Sequence, residues 1–215
     1  SGARCSGHSA EGISELDVSP GKRSKRVGAR LLHAGILGGK TLAIHSVHIH
    51  AAEVEMLVES DTRAVHNPES NMCNAVGTSP AIQVMQKGVL LGLGTDAYTQ
   101  DMFESLKVAN IIHKHNLCNP SIGFMESMQM LFQNNAAIAG RFFQKPLGTI
   151  APGAYADIIL VDYVPHTPLN ANPIAGNVMF GLMGRSVDST MINGKFVMKD
   201  RVMQTADEEA VLAQA

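Results

Sequence analysis

The sequence predicts an α/β protein, with parallel βα units over most of its length and a small β module at the end. Three observations carry that prediction. Val89-Leu90-Leu91-Gly92-Leu93-Gly94-Thr95 is a short apolar run that ends in a single acid, Asp96. Such a run reads as a strand buried on both faces, with a polar group at its C-terminal tip. Similar runs alternate with helical patterns at strand starts roughly 20 to 30 residues apart, the order of parallel βα units. Near the C-terminus, Asn193-Gly194 separates two short apolar segments and marks a hairpin. Spacing alone leaves open a part of an eight-stranded barrel or a small open sheet, since three complete units close no barrel. Asp96 likewise has two readings, a helix cap or a reactive group at a strand end.

The elements follow in order. After His8-Ser9-Ala10-Glu11 the chain is polar to Pro20. Residues 22–37 are patterned as a helix, with Val27, Leu31, Leu32, Ala34 and Ile36 forming its apolar face and Gly38-Gly39 as its stop. Residues 41–45 read as a buried strand. Residues 51–60 read as a helix that buries Val54, Leu57 and Val58 and leaves Glu53, Glu55 and Glu59 in solvent. A short strand over 62–66 is followed by Asn67-Pro68, a turn signal. Residues 79–87 form a helix with Pro80 in its first turn and Gly88 as its stop. An amphipathic helix over 101–115 points Met102, Leu106, Ala109 and Ile112 inward. Residues 122–143 are helical, as one helix or two, with Met125, Met128, Leu131, Phe132 and Ile138 apolar. From Leu147 onward the pattern is β-like: a strand over 156–162, a Pro/Asn-rich loop over 165–176, and the hairpin of 189–192 with 196–198. A domain boundary is expected near Gly148, giving 1–147 and 148–215.

Composition narrows the function. A formal charge of -2 offers no electrostatic footprint for nucleic acid or an anionic membrane. No apolar run approaches the roughly 20 residues of a membrane span, and no signal-peptide pattern opens the chain. Cys5, Cys73 and Cys118 are an odd number without CxxC spacing, which points to a reducing cytoplasm rather than a disulfide framework. The 12 methionines suit core filling. The opening Ser1-Gly2-Ala3-Arg4-Cys5-Ser6-Gly7 is small, polar and basic, and reads as the middle of a longer chain.

Chemistry gathers at the strand ends. His45, His66 and Asp96 end successive strands, and His8 joins them if a strand precedes it. Polar groups at the same end of parallel strands converge on one mouth. Imidazole and carboxylate together form a donor set suited to Zn²⁺ or Fe²⁺. Such a metal lowers the pKa of a bound water to about 7. Glu11, three residues past His8, is placed to move protons at the same mouth.

These residues carry a resemblance. His8-Ser9-Ala10-Glu11-Gly12, Thr41-Leu42-Ala43-Ile44-His45, Val65-His66-Asn67-Pro68-Glu69-Ser70-Asn71 and Gly92-Leu93-Gly94-Thr95-Asp96 resemble, in that order, the amidohydrolase superfamily. The likeness is to its chlorohydrolase and guanine deaminase branch, nearest to the SsnA-type aminohydrolases. It continues through Asn134-Asn135-Ala136, Gly148-Thr149-Ile150, Ala156-Asp157-Ile158 and Asn193-Gly194-Lys195. The resemblance implies the C-terminal half of a (β/α)₈ barrel with part of a flanking β-sandwich. It implies that His8 and Asp96 bind a divalent metal, zinc or else iron. It makes Glu11, His45 and Asp96 catalytic: Asp96 accepts the water's proton, Glu11 protonates the leaving amine, and His45 orients water or substrate. Glu11, His45, His66, Asn67 and Ser70 are the implied substrate contacts. The implied reaction is hydrolysis of a C–N bond in a cyclic amidine or amino-heterocycle, by a cytoplasmic enzyme that is a homodimer at full length. The other histidines, His33, His48, His50, His113, His115 and His166, match no catalytic position and are expected at the surface or at helix ends.

One feature of that superfamily is missing. The His-x-His of its first strand supplies two further metal ligands. One such pair here, His48-Ile49-His50, lies just past a different strand. The expectation is therefore a piece of an enzyme. The other function class is a non-catalytic fragment or assembly piece without metal.

Overall fold

In the computed structural model, which describes residues 5–15, 25–170 and 174–214, the chain divides into two units, Ser1–Arg141 and Phe142–Ala215. The first is built on four strands: β1 (Cys5–Ser9), β2 (Thr41–His45), β3 (Arg63–His66) and β4 (Leu91–Leu93). They form one parallel sheet in the order β1-β2-β3-β4. Ser9 pairs with His45, Ile44 with Val65, and His66 with Leu93, so all four C-terminal ends share one edge. Ala43, Ala64, Leu91 and Leu93 fill the sheet interior. β1 forms although Cys5, Ser6, Gly7 and His8 are exposed. Backbone pairing with β2 sustains it where side-chain hydrophobicity gave no strand signal.

The helices between the strands share one ending. α1 (Val27–His33), α2 (Ala51–Glu59), α3 (Pro68–Cys73) and α4 (Ala81–Gln86) are each followed by a left-handed residue, Gly35, Asp61, Ala75 and Gly88. The next residue donates its N–H back into the helix, as Ile36 does to Leu31 O at 2.9 Å and Thr62 to Leu57 O at 2.9 Å. This double hydrogen bond satisfies carbonyls at the helix end. The stop of α1 is therefore Gly35, not Gly38-Gly39. α1 buries Val27 and Gly28, whereas Leu32 is 47% exposed; residues 22–24 of the expected helix lie outside the described residues.

Two expectations fail, the first for a tertiary reason and the second for a local one. Glu53, expected in solvent, is 3% exposed. Its carboxylate accepts from Arg26 Nε at 2.8 Å, Gly28 N at 2.8 Å and His50 N at 3.0 Å. A buried carboxylate is stable when so paired. Asn67-Pro68, expected as a turn, opens α3 instead, with Pro68 in the first turn, where a missing N–H costs nothing.

α5 (Met102–Leu117) starts at Asp101, whose side chain accepts from Phe103 N at 2.9 Å and Glu104 N at 3.2 Å. It buries Phe103, Leu106, Ala109, Asn110 and His113, while Met102 and Ile112 are only half-buried. The next helical segment is α6 (Phe124–Met128), a π-helical turn (Gln129–Asn134) and α7 (Asn135–Ala139). It buries Ser127, Met130, Asn134 and Ile138 and leaves Met125 and Phe132 65% and 45% exposed. Its consecutive asparagines close the outer edge of β4. Asn134 Nδ2 donates to Leu91 O at 2.7 Å. Asn135 accepts from Leu93 N at 3.0 Å and donates to Leu93 O at 2.9 Å. Only glycine permits that approach at position 92, where a Cβ would collide with Asn135 Oδ1 and lie 2.9 Å from Ile138 Cδ1. Gly92→Ala is expected to destabilise this unit by about 1–3 kcal/mol, the usual cost of overpacking, read as a lower midpoint in urea unfolding.

The second unit holds an antiparallel sheet of β5 (Ile158–Val161), β6 (Val187–Ile192), β7 (Lys195–Lys199) and β8 (Val202–Met203), in that order. Asn193 (φ 48) and Gly194 (φ 80) form the β6–β7 turn, both with the positive φ that a two-residue type I′ hairpin needs. Helix was not expected here, yet α8 (Ile174–Gly176) and α9 (Glu208–Leu212) form, the latter capped by Asp207 onto Ala210 N at 3.0 Å. Residues 171–173 of the expected loop lie outside the described residues. Among the described residues, no helix is long and apolar enough to cross a membrane.

Candidate functional site

His45 is the last residue of β2 and is fully buried. Its neighbours at the common strand edge come from three other segments: His8 on β1, Glu11 just beyond it, and Asp96 beyond β4. Tight turns present them. Ala10 (φ 50), His45 (φ 70), Ser46 (φ 50) and Asp96 (φ 55) all adopt the left-handed backbone conformation without being glycine. Each such residue costs on the order of 1–3 kcal/mol and persists only where its surroundings enforce it. Backbone bonds from Ser46 N to Ser9 O (3.0 Å) and His48 N to Ala10 O (2.9 Å) do so here. Glu15 adds to the hold on the β1 turn, accepting from Ala10 N, Glu11 N and Gly12 N at 3.1, 3.0 and 3.2 Å.

The side chains converge. Glu11 Oε2 is 3.3 Å from His8 Nδ1 and 3.5 Å from His45 Nε2. Asp96 Oδ2 is 3.6 Å from the same His45 nitrogen. The rings of His8 and His45 meet edge to face with centroids 4.6 Å apart. Ser70 Oγ donates to Asp96 Oδ2 at 2.7 Å, and that bond, with smaller help from the Ala97 N–H and the nearby His45 and His8, lowers the Asp96 pKa. Asp96 is therefore a carboxylate at neutral pH. Asn71 Oδ1 lies 2.9 Å from His45 Nδ1, and Asn74 Nδ2 donates to Glu11 Oε1 at 3.4 Å.

One nitrogen, two carboxylate oxygens and the exposed ring of His8 thus surround a small volume. Donor atoms of His8, Glu11 and His45 all lie within 4.8 Å of one another. His45 Nε2 is buried and has no hydrogen-bond partner among the described residues. An orphaned imidazole nitrogen facing two carboxylates fits a divalent cation of the Zn²⁺ or Fe²⁺ kind. The closest trio includes Glu11 and His45; Asp96, expected as a ligand with His8, borders it through His45.

His66 and Asn67 are 1% and 3% exposed. No described hydrogen bond or ion pair joins either side chain to Glu11, His45 or Asp96. His66 Nε2 instead lies 3.2 Å from His113 Nε2. Burial lowers both imidazoles, His66 to about 3, with the neighbouring His113 and His45 adding to the effect, and His113 to about 4. His113 was expected at the surface or a helix end and is 1% exposed, because α5 presses it against the end of β3. Ser70, expected to touch substrate, is 4% exposed and occupied by Asp96. Sequence reasoning did not single out Glu15, Asn71 or Asn74. The available signal was Pro68 read as a helix start, which places residues 70, 71 and 74 on one short helix at the mouth.

Known proteins resemble the chain in sequence and in fold. Residues 7–197 match the model of the Amidohydrolase family. The chain is 33% identical over 187 residues to a 5′-deoxyadenosine deaminase of Methanothermobacter thermautotrophicus, covering 84% of this chain and 43% of that protein. It is 34% identical over 188 residues to a 5-methylthioadenosine/S-adenosylhomocysteine deaminase of Pelotomaculum thermopropionicum, covering 85% and 42%. The chain therefore spans less than half the length of these relatives. Its fold is that of a zinc-bound adenosine deaminase from Xanthomonas campestris (TM-score 0.87, 24% identity, 98% of this chain and 49% of that chain). It is also that of the zinc complex of atrazine chlorohydrolase TrzN from Arthrobacter aurescens TC1 (TM-score 0.79, 20% identity, 98% and 47%).

Proposed function

The chain belongs to the amidohydrolase family, and from that premise we propose that it supplies the proton-handling side of a metal-dependent aminohydrolase acting on an adenine-type nucleoside. The observation that supports this reading is the meeting of His8, Glu11, His45 and Asp96 at the C-terminal edge of one parallel sheet. The relatives named as deaminases of 5′-deoxyadenosine and 5-methylthioadenosine suggest the substrate class, an exocyclic amine on a purine carrying a 5′-modified ribose.

On this reading residues 1–147 supply the second half of a (β/α)₈ barrel and residues 148–215 part of a β-sandwich. The metal ligands from this chain are His8 and Asp96, with zinc favoured over iron. A divalent cation bound there supplies Lewis acidity and a water acidic enough to ionise near neutral pH. Asp96, held ionised by Ser70, takes the proton of the attacking water. Glu11, within reach of both histidines, carries a proton to the departing amine, so that water adds at the ring carbon, the C–N bond breaks and ammonia leaves. His45 orients the reacting groups as charge develops. The whole protein works as a homodimer, the commonest closed symmetry. The exposed free thiols of Cys5, Cys73 and Cys118 suit a reducing cytoplasm.

Ammonia release settles the matter. The purified protein, supplied with Zn²⁺ or Fe²⁺, is expected to deaminate 5′-deoxyadenosine and 5′-methylthioadenosine, and to lose that activity in a chelator. Absence of metal-dependent release from these nucleosides, from adenosine and from guanine overturns the reading.

A further inference from the structure

We propose that Asn71 is a positioning residue: its side-chain carbonyl holds His45 in the Nδ1–H tautomer and turns an unprotonated Nε2 toward Glu11 and Asp96. A neutral imidazole carries one N–H, and the hydrogen bond at one nitrogen decides the state of the other. Asn71 is 1% exposed and sits 2.9 Å from His45 Nδ1. With Oδ1 as acceptor, Nδ1 bears the hydrogen and Nε2 keeps its lone pair.

The other side of the ring agrees. Nε2 lies 3.5 Å from Glu11 Oε2 and 3.6 Å from Asp96 Oδ2, both longer than ordinary N–H···O bonds. An N–H at Nε2 would draw one carboxylate into a short, charge-assisted bond. A lone pair keeps both acceptors at a distance and leaves the space between them to a cation or a proton donor. A free histidine side chain prefers the Nε2–H form. Without Asn71 the ring would take up that form, donate to the carboxylates and close the space.

Asn71 acts from a helix whose neighbouring residues do similar work. Ser70 donates to Asp96 and Asn74 to Glu11, and these two, four residues apart, lie on one face of the short helix and its cap. α3 thus fixes three site groups that belong to three other segments of the chain. The tautomer is a property of the chain alone; only its use in catalysis rests on the aminohydrolase reading.

Long-range ¹H–¹⁵N correlation spectra of the ¹⁵N-labelled 215-residue chain, free of metal and at neutral pH, read the tautomer directly. His45 is assigned by loss of its signals in His45→Gln. The expected result is a protonated-type Nδ1 and an unprotonated-type Nε2. Asn71→Asp, which retains an acceptor, keeps that pattern. Asn71→Ala shifts it toward Nε2–H while the His66 and His113 signals stay in place. A protonated Nε2 in the unaltered chain overturns the proposal, as does a folded Asn71→Ala chain with an unchanged His45 pattern. If Asn71→Ala fails to fold, the unaltered chain and Asn71→Asp still decide it. None of these readouts requires activity, so an inactive protein with the expected tautomer would refute the aminohydrolase reading and leave the role of Asn71 standing.

Discussion

Replacing Glu11 with Gln is expected to lower kcat for nucleoside deamination by about 10²- to 10⁴-fold, the range supplied by one positioned proton carrier. The substitution keeps the shape of the side chain and an oxygen for Asn74 Nδ2, which lies 3.4 Å from Glu11 Oε1. It removes the capacity to accept and return a proton between His8 and His45, each within 3.5 Å of Oε2. Glu15, not Glu11, bonds the backbone of the turn, so the fold should survive the change. Initial rates of ammonia release, measured alongside a thermal unfolding curve, separate the two effects. A kcat within a few-fold of the original in a folded variant would remove Glu11 from proton transfer.

Acidification is expected to produce the largest change in stability. His66 and His113 are each 1% exposed, and folding lowers their pKa values from 6.5 to about 3 and about 4. Between those values and 6.5 the unfolded chain binds protons that the folded chain refuses. Stability is therefore at its full value above about pH 6.5 and falls as the pH drops toward the folded pKa values. At about pH 5 the loss is roughly 2 kcal/mol for each ring by proton linkage. Glu69, whose pKa burial raises, acts in the opposite sense at lower pH, because its protonated form suits the folded state. Urea midpoints at about pH 7 and pH 5 test this. Equal midpoints with unchanged slope would mean that these rings are hydrated or already charged in the folded protein.

Much of the fold was legible because its signals are local. The apolar runs, the helical periodicity and the Asn193-Gly194 turn each act within a few residues. The site was legible for the same reason, since His8, His45 and Asp96 mark ends of elements. What sequence reasoning missed depends on partners far along the chain. Glu53 falls on the charged side of its helix by periodicity, yet Arg26 and Gly28, 27 and 25 residues away, draw it inward. His113 carries nothing local to say that it meets His66, 47 residues away. Asn71 is one more polar residue after a proline until the register of the strands sets it against His45, 26 residues away.

The left-handed backbone at Ala10, His45 and Asp96 sets two kinds of selection against each other. Glycine adopts that conformation without steric cost, so pressure for thermal resistance alone would drift these positions toward glycine. At 45 and 96 the same drift would erase the imidazole and the carboxylate on which the proposed chemistry depends. Position 10 carries no such conflict. It is the one strained site of the three where a gain in robustness need not be traded against turnover, and hence a natural first step in adapting this scaffold to heat.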